Sequence, residues 1–189
     1  MKEYDVVVVG AGPGGYVAAI RAAQLGLSVG IVEKEFLGGV CLNIGCVPSK
    51  SLLKNAEVAH TLRERGKEFG FSFDNLKLDY GVALKRSRQV SDRLTKGVAF
   101  LMKKNKIDVH EGFAKLTGKN SVQVTAEDGS TTDLSAKNII VATGAHPFLI
   151  PGIEMDGKTV VTYREAILQE TLPSSVVIIG AGAIGVEFA

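Results

Sequence analysis

The sequence predicts an α/β protein in three parts: a parallel sheet with crossover helices, an antiparallel β-meander joined to it, and the start of a second unit built like the first. Three observations predict this. A β-branched apolar run passes straight into a glycine-rich turn and an alanine-rich helix in YDVVVVGAGPGGYVAAIRAAQLG. Short alternating segments follow in the second half. The opening pattern then returns: VVVVGAGPGGYVAA (Val6 to Ala19) aligns without a gap with VVIIGAGAIGVEFA (Val176 to Ala189), half of the positions being identical.

Val6 to Val9 form a continuous apolar run, as a strand buried on both faces requires. The helix after the turn extends from about Gly14 to Leu25, with Gly26 placed as its C-terminal cap. LSVGIVEKE is the next strand, ending near Glu33, which completes a parallel βα unit. Pro48 to about Gly66 reads as a helix with Leu52, Leu53, Ala56, Ala59 and Leu62 on one broad face. Gly70 to Asp79 is a loop. Tyr80 to Lys104 is a second amphipathic helix, with Val82, Leu94, Val98, Leu101 and Met102 facing inward. IDVHEGFAKL, NSVQVTAEDGSTTDL and KNIIVATG read as the strands of the meander, turning at Asp128-Gly129. TYREAILQ is a short helix after an irregular connector, and Val176 onward repeats strand, turn and helix. Residues 1–146 are thus expected to be the first domain segment, and residues 147–189 a connector and the truncated start of a second domain. A chain cut in its second unit is expected to be a fragment.

The chain has 189 residues and a net charge of +2, too small to call for nucleic acid or an anionic membrane as partner. No stretch approaches the roughly 20 apolar residues of a membrane span. Met1 stands close before Val6, so neither a signal peptide nor a transit peptide is expected within this sequence. Two cysteines and no secretory signal indicate a reducing compartment, so a cytoplasmic location is expected, or a mitochondrial matrix if a transit peptide has been removed.

Gly10, Gly12 and Gly15 form a G-x-G-x-x-G turn between strand and helix, with Pro13 and Gly14 inside it. An acid, Glu33, follows near the ~20-residue spacing of a dinucleotide fingerprint. The first glycine makes the tight turn, the second admits a pyrophosphate to the backbone, and the third lets helix pack on strand. The helix N-terminus offers unpaired N–H groups and a partial positive charge to the phosphates. Glu33 is placed to accept hydrogen bonds from ribose hydroxyls. Gly180, Gly182 and Gly185, with Ala183 and Ile184 between them, are the second copy. Its ribose-binding residue is expected beyond Ala189, so these residues do not separate NAD from NADP. Glu187 is unusual in that first turn: it favours the helix dipole, or it needs a cation from elsewhere.

The cysteines lie in GGVCLNIGCVPSK, Gly38 to Lys50. Two thiols and three scattered histidines, His60, His110 and His146, make no recognisable metal site. A five-residue loop closed by a disulfide contributes only about 2 kcal/mol in the chain-entropy account, a poor staple. Residues five apart in a regular helix have Cα atoms about 8.5 Å apart, beyond the ~7 Å limit for a bridge. A bridge between Cys41 and Cys46 therefore demands a broken turn, which Asn43, Gly45 and Pro48 permit. A helix starting just after Cys46, and Lys50 one turn on, favour its thiolate. The residues leave both inert thiols and a redox pair open.

This segment resembles the active-site signature of the pyridine nucleotide-disulfide oxidoreductases, GG-T-C-x-N-x-G-C-x-P-(S/K)-K. Together with YDVVVVGAGPGGYVAAIRAAQLGL, IIVATGAHP and VVIIGAGAIGVEFA it is most similar to the branch that oxidises dihydrolipoamide, over the whole chain. Val40 departs from the family's usual threonine. The resemblance implies a Rossmann-like FAD-binding domain, a following NAD-binding domain, and a redox disulfide between Cys41 and Cys46. Cys41 is then the interchange thiol that reacts with the dithiolane of lipoamide, and Cys46 the thiolate beside the flavin. Gly10, Gly12, Pro13, Gly14 and Gly15 hold the FAD pyrophosphate, Glu33 and Lys34 the ribose side, and Gly39 and Val40 flank the site. Lys50 lies by the flavin, with Glu187 as its ion-pair partner. Gly112 and Ala114 match the adenine contact, and Ala142, Thr143 and Gly144 a second flavin-binding turn. Gly180 to Gly185 hold NAD. The implied partners are a lipoyl domain of a 2-oxo acid dehydrogenase or glycine cleavage complex, and a second subunit in a homodimer. The family's acid/base histidine belongs to a C-terminal domain, and none of His60, His110 or His146 matches it. Mercuric, glutathione and trypanothione reductases share the cysteine segment, and a non-catalytic FAD-binding module or a simple NAD-dependent dehydrogenase are the readings from other classes.

Overall fold

The computed structural model describes residues Met1–Ala189. They divide into two compact units, Met1–Asn43 with Asp92–His146, and Ile44–Ser91 with Pro147–Ala189.

The first unit is built on a six-stranded sheet of order β3-β2-β1-β6-β5-β4. Its strands are β1 (Lys2–Val9), β2 (Val29–Glu33), β3 (Asp108–Glu111), β4 (Phe113–Gly118), β5 (Ser121–Thr125) and β6 (Thr131–Val141). β1 pairs in parallel with β2 and β6, and β2 with β3, while β4-β5 and β5-β6 are antiparallel. The apolar run of β1 takes the central place: Val7 and Val8 are wholly buried. Each such valine contributes about 1.5–3 kcal/mol against an exposed one.

The meander is smaller than the sequence suggests. DVHE (Asp108–Glu111) supplies β3, which joins the parallel sheet beside β2, with Gly30 opposite Asp108. β6 serves both halves, pairing with β5 through Thr131–Ser135 and with β1 as far as Val141. Alternation reports that one face is wet and leaves the partner's direction open. The β5-β6 hairpin turns at Gly129 (φ 81°), where Asp128 accepts from the Ser130 N–H at 2.8 Å.

The first helix, α1 (Pro13–Gln24), crosses from β1 to β2 and ends as expected: Gly26 takes φ 85° and the Leu27 N–H reaches back to the Ala22 carbonyl. At the other end of β1 the N–H groups of Asp5 and Val6 both donate to Ser28 O. This bulge sets Tyr4 in the same cluster as Val7 and Val9. The Tyr4 ring then crosses Gly30, where a Cβ would come within 2.9 Å of it, and reaches β3. Its hydroxyl donates to Asp108 Oδ2 (3.0 Å) and lies 2.8 Å from His110 Nε2.

Four more helices carry the remaining chain up to the second glycine turn: α2 (Gly39–Ile44), α3 (Cys46–Arg65), α4 (Tyr80–Lys104) and α5 (Tyr163–Ala166). α4 has the expected bounds with a different buried face. Val98 and Met102 are buried, but Val82, Leu94 and Leu101 are 63%, 40% and 36% exposed, and Ser87 and Ser91 are buried instead. On α3, Leu53 and Ala56 are likewise exposed, and Pro48, Ser49 and Ser51 are buried. In both helices small side chains meet their neighbours, a choice made by the neighbour rather than by hydrophobic periodicity. α5 is held by a capping box between Thr162 and Glu165. α6 (Ala183–Phe188) ends the chain. The strand expected at Val176–Ile179 is absent: the run has no partner to pair with, and Val177 is 89% exposed.

Candidate active site

In the first unit the predicted nucleotide residues gather at the carboxyl ends of four adjacent parallel strands. The Gly10–Gly15 turn follows β1, Glu33 and Lys34 end β2, Gly112 follows β3, and Ala142–Gly144 follow β6. Chain order runs from β1 outward to β2 and β3, then returns to β6 on the other side, so β1/β6 is the topological switch point where such sheets bind ligands. Backbone bonds continue the ladder past the strand ends: Gly10 N–H to Val32 O, Ala142 N–H to Val9 O and Gly112 N–H to Glu33 O, each 2.8 Å.

The three fingerprint glycines have distinct duties here. Gly10 (φ 99°) lies against the Ala142 carbonyl, which a Cβ would meet at 2.3 Å, and a Cβ on Gly15 would sit 1.8 Å from Gly10 O. Gly12 differs, since the space its Cβ would take is open except for Gly39 Cα at 3.8 Å. Gly12 is also the N-cap of α1, with no side chain capping the helix and Pro13 opening it. This cradle of bare backbone N–H groups suits a pyrophosphate, so the residues fit the dinucleotide that the resemblance implies.

Glu33 has a duty that sequence reasoning missed. Its Oε2 accepts from the Ala11 N–H at 2.7 Å, and Oε1 accepts from Lys34 and Glu35 at 2.9 Å and Phe36 at 3.4 Å. The carboxylate clips the glycine turn to the end of β2, and acceptor capacity remains on Oε2 for one ribose hydroxyl. Beside it, Lys34 Nζ stands 5.9 Å from the centre of the Phe113 ring, between Gly112 and Ala114.

Gly38 and Gly39, at φ 88° and 63°, turn the chain into α2, which carries Val40 and Cys41. A Cβ on Gly39 would fall 2.5 Å from Gly12 Cα, so the two turns touch through bare backbone. Cys41 is half-buried, Cys46 is exposed, and both are thiols here. The helix does break between them: α2 ends at Ile44, and Gly45 (φ −138°, ψ −119°) is the N-cap of α3. α3 begins at Cys46, not at Pro48, so this cysteine is in the helix's first turn. The sequence singled out Asn43 only as a residue tolerant of turns. In the structure its amide donates to Leu37 O (3.1 Å) and Gly39 O (2.9 Å) and accepts from Thr95 Oγ1 (3.2 Å).

In the second unit Lys50, one turn into α3, forms a salt bridge with Glu187 on α6. Glu187 thus has the cation that its position calls for. The second glycine turn repeats the first: Gly180 has φ 117°, Gly182 caps α6 without a side-chain bond, and a Cβ on Gly185 would lie 2.1 Å from Gly180 O. Ala183 and Ile184 open that helix and are exposed. No group of three His, Cys, Asp or Glu residues gathers to hold a metal ion, and no helix is long and apolar enough to cross a membrane.

A parallel sheet with a glycine turn and an acid at its switch point defines a dinucleotide-binding protein of the Rossmann type. The chain belongs to the pyridine nucleotide-disulphide oxidoreductase family, whose pattern its residues 4–189 match. It is 53% identical to the dihydrolipoyl dehydrogenase of Chlorobaculum parvum over 187 residues, which is 99% of this chain and 40% of that protein. The dihydrolipoyl dehydrogenase of Bacillus subtilis is 48% identical, over 99% of this chain and 41% of its own length. The chain therefore spans about two fifths of the curated relatives it matches. Among solved structures it is similar to the HOCl-induced flavoprotein disulfide reductase RclA of Escherichia coli, solved as a Cu(II) complex. The TM-score is 0.84 at 26% identity, over all of this chain and 39% of that one. LpdA of Mycobacterium tuberculosis gives a TM-score of 0.82 at 26% identity, over 92% of this chain and 38% of that one.

Proposed function

We propose that this chain forms the FAD-binding and cysteine-bearing part of a flavoprotein that oxidises protein-bound dihydrolipoamide, with NAD⁺ as final acceptor. Residues 1–146 supply most of the FAD domain, and residues 147–189 lead into the NAD domain. Gly10, Gly12, Pro13, Gly14 and Gly15 face the FAD pyrophosphate, Glu33 and Lys34 its ribose, Gly112 and Ala114 its adenine, and Gly39, Val40 and Ala142–Gly144 the remaining edge. Gly180, Gly182, Ala183, Ile184 and Gly185 take the corresponding place for NAD.

The net reaction is dihydrolipoamide + NAD⁺ → lipoamide + NADH + H⁺. One substrate thiolate attacks Cys41 Sγ of a Cys41–Cys46 disulfide, and Cys46 leaves as a thiolate. The second substrate thiol displaces Cys41 and closes the dithiolane, so two electrons remain on the cysteine pair. The flavin and nicotinamide supply the onward transfer of those electrons. Lys50 places positive charge one turn from Cys46, and Glu187 orients it. That ion pair carries the proposal, because it joins α3, one turn after Cys46, to α6, the helix that follows the second glycine turn. An FAD-binding module alone has no use for such a tie.

The lipoyl domain of a 2-oxo acid dehydrogenase or glycine cleavage complex is the partner this chemistry requires, the full-length enzyme is a homodimer, and its location is cytoplasmic. The family's acid/base histidine lies in the part of the relatives that this chain does not span. Turnover therefore belongs to the full-length protein, and the 189-residue chain alone has little or none.

The test is the visible spectrum of the FAD-loaded full-length protein, titrated with dihydrolipoamide. The expected result is a flavin spectrum that gains long-wavelength absorbance from a neighbouring thiolate, followed by NADH formation, both lost in Cys41→Ser and Cys46→Ser. A flavin spectrum that dihydrolipoamide leaves unchanged reduces the proposal to a binding module.

A further inference from the structure

We infer that Asn43 is a positioning residue for Cys41, tying the helix that carries this thiol to the nucleotide-binding edge and to α4.

The need for such a tie follows from length. α2 has six residues, well short of what holds itself in water, and it opens at Gly39 after Gly38, both glycines in left-handed conformations. Its geometry must come from bonds to its surroundings. The Asn43 side chain, two positions after Cys41, supplies three. Both amide hydrogens are used, on Leu37 O and Gly39 O, and the amide oxygen accepts from Thr95 on α4. Only a carboxamide can give two hydrogens and receive one from a single planar group. Aspartate would turn an acceptor toward two carbonyl oxygens, and serine is too short to bridge three sites.

These bonds continue into the cofactor edge. The Gly38 N–H donates to Ala11 O at 2.9 Å, and the Ala11 N–H donates to Glu33 Oε2 at 2.7 Å. Gly39 also lies directly against Gly12. A continuous hydrogen-bonded path therefore runs from Thr95 through Asn43 and the Leu37–Gly39 turn to Ala11 and Glu33, with Cys41 on the helix in its middle. The thiol is registered to the glycine turn by the amide of its neighbour, and its own packing is only partial.

The inference rests on the redox role proposed for Cys41, yet it can be read from the thiol itself. The full chain is reduced and pulsed with iodoacetamide, and the two cysteines are quantified by mass spectrometry between pH 6 and 9. Cys46, already exposed, serves as the internal reference. Asn43→Ala is expected to raise the Cys41:Cys46 labelling ratio about tenfold, the equivalent of one or two hydrogen bonds lost from a half-buried group. Thr95→Val, which removes one of the three bonds, is expected to raise it about threefold, and Thr95→Ser to restore the original ratio and pH profile. A lower unfolding midpoint with an unchanged ratio in Asn43→Ala gives Asn43 a structural role only and overturns the inference. Should Asn43→Ala fail to fold, an unchanged ratio in Thr95→Val overturns it equally. A flavin that ignores dihydrolipoamide while the labelling ratios shift as stated would sink the redox proposal and leave Asn43 as the anchor of α2.

Discussion

The same glycine turn occurs twice in this chain, once inside a finished sheet and once without one. Gly10 and Gly180 share a positive φ, 99° and 117°. Gly12 and Gly182 cap their helices in nearly the same extended conformation, and Gly15 and Gly185 both press on the carbonyl of the first glycine. The strands leading into the two turns differ completely. Val7 and Val8 are buried between β2 and β6, whereas Val177 is 89% exposed and pairs with nothing. Surroundings differ in the same sense: a Cβ on Gly10 would strike Ala142 O at 2.3 Å, and one on Gly180 meets nothing within 4 Å. The turn is thus a local property of G-x-G-x-x-G, written in a few dihedrals. The strand is a property of its neighbours, because its N–H and C=O groups are satisfied only by another strand.

The strongest way to break this comparison is one methyl group placed in each turn. In Gly15→Ala the new Cβ meets Gly10 O at 1.8 Å, and Gly10 cannot retreat because Ala142 stands behind it. About 3 kcal/mol of stability should be lost, at the upper end for overpacking. In Gly185→Ala the contact is almost as short, 2.1 Å, but Gly180 has open space to move into. Its cost should stay below about 1 kcal/mol. Urea unfolding of the two variants measures both, and equal losses would show that the second turn is as firmly enclosed as the first.

The entering strands sharpen the contrast with a smaller effect. Val7→Ala removes two methyl groups from a fully buried site and should cost about 2 kcal/mol. Val177→Ser changes a side chain already in solvent and should move stability by no more than about 0.5 kcal/mol. A loss in Val177→Ser comparable to that in Val7→Ala would mean that the second run finds a partner in solution.

What could be read in advance follows the same division between local and distant information. The β1 run, the glycine turn, the bounds of α4 and the break at Gly45 all depend on residues close in sequence, and all are found. The Lys50–Glu187 pair was legible from the family resemblance and from an acid standing where packing residues normally lie. Placing β3 beside β2 was not legible, because alternation marks a strand without naming its partner. The inward face of α4 was not legible either. Val82 and Leu94 carry the stronger hydrophobic signal, but Ser87 and Ser91 lie on the side that a neighbour covers. Asn43 and Glu33 were legible by position and misread in part: their polar side chains spend themselves on backbone groups whose positions only the folded chain defines.

The smallest expected effect separates the sheet that holds the first turn from the rest of the chain by its response to acid. His110 on β3 is half-buried, and burial together with the nearby Lys2 charge holds its pKa below the usual value, against the attraction of Asp108. Asp108 is itself held low, first by its bond to Lys2, so it is ionised and accepts the single Tyr4 hydroxyl proton. His110 Nε2–H must then be the donor to Tyr4 Oη, 2.8 Å away. Charging the ring therefore forms no new bond to Tyr4; it adds the cost of a cation in a half-buried site and near Lys2, only partly offset by Asp108. With the folded pKa depressed, His110 leaves stability intact above its unfolded value of about 6.5, and stability falls as pH drops from there toward the folded value. The carboxylates of Asp5 and Asp108, also depressed, act only below about pH 4 and do not enter this window. Urea midpoints at pH 7.5, 6.5 and 5.5 should thus decline in the parent chain and decline less in His110→Gln. Parallel declines in the two proteins would assign the acid response to groups outside this sheet.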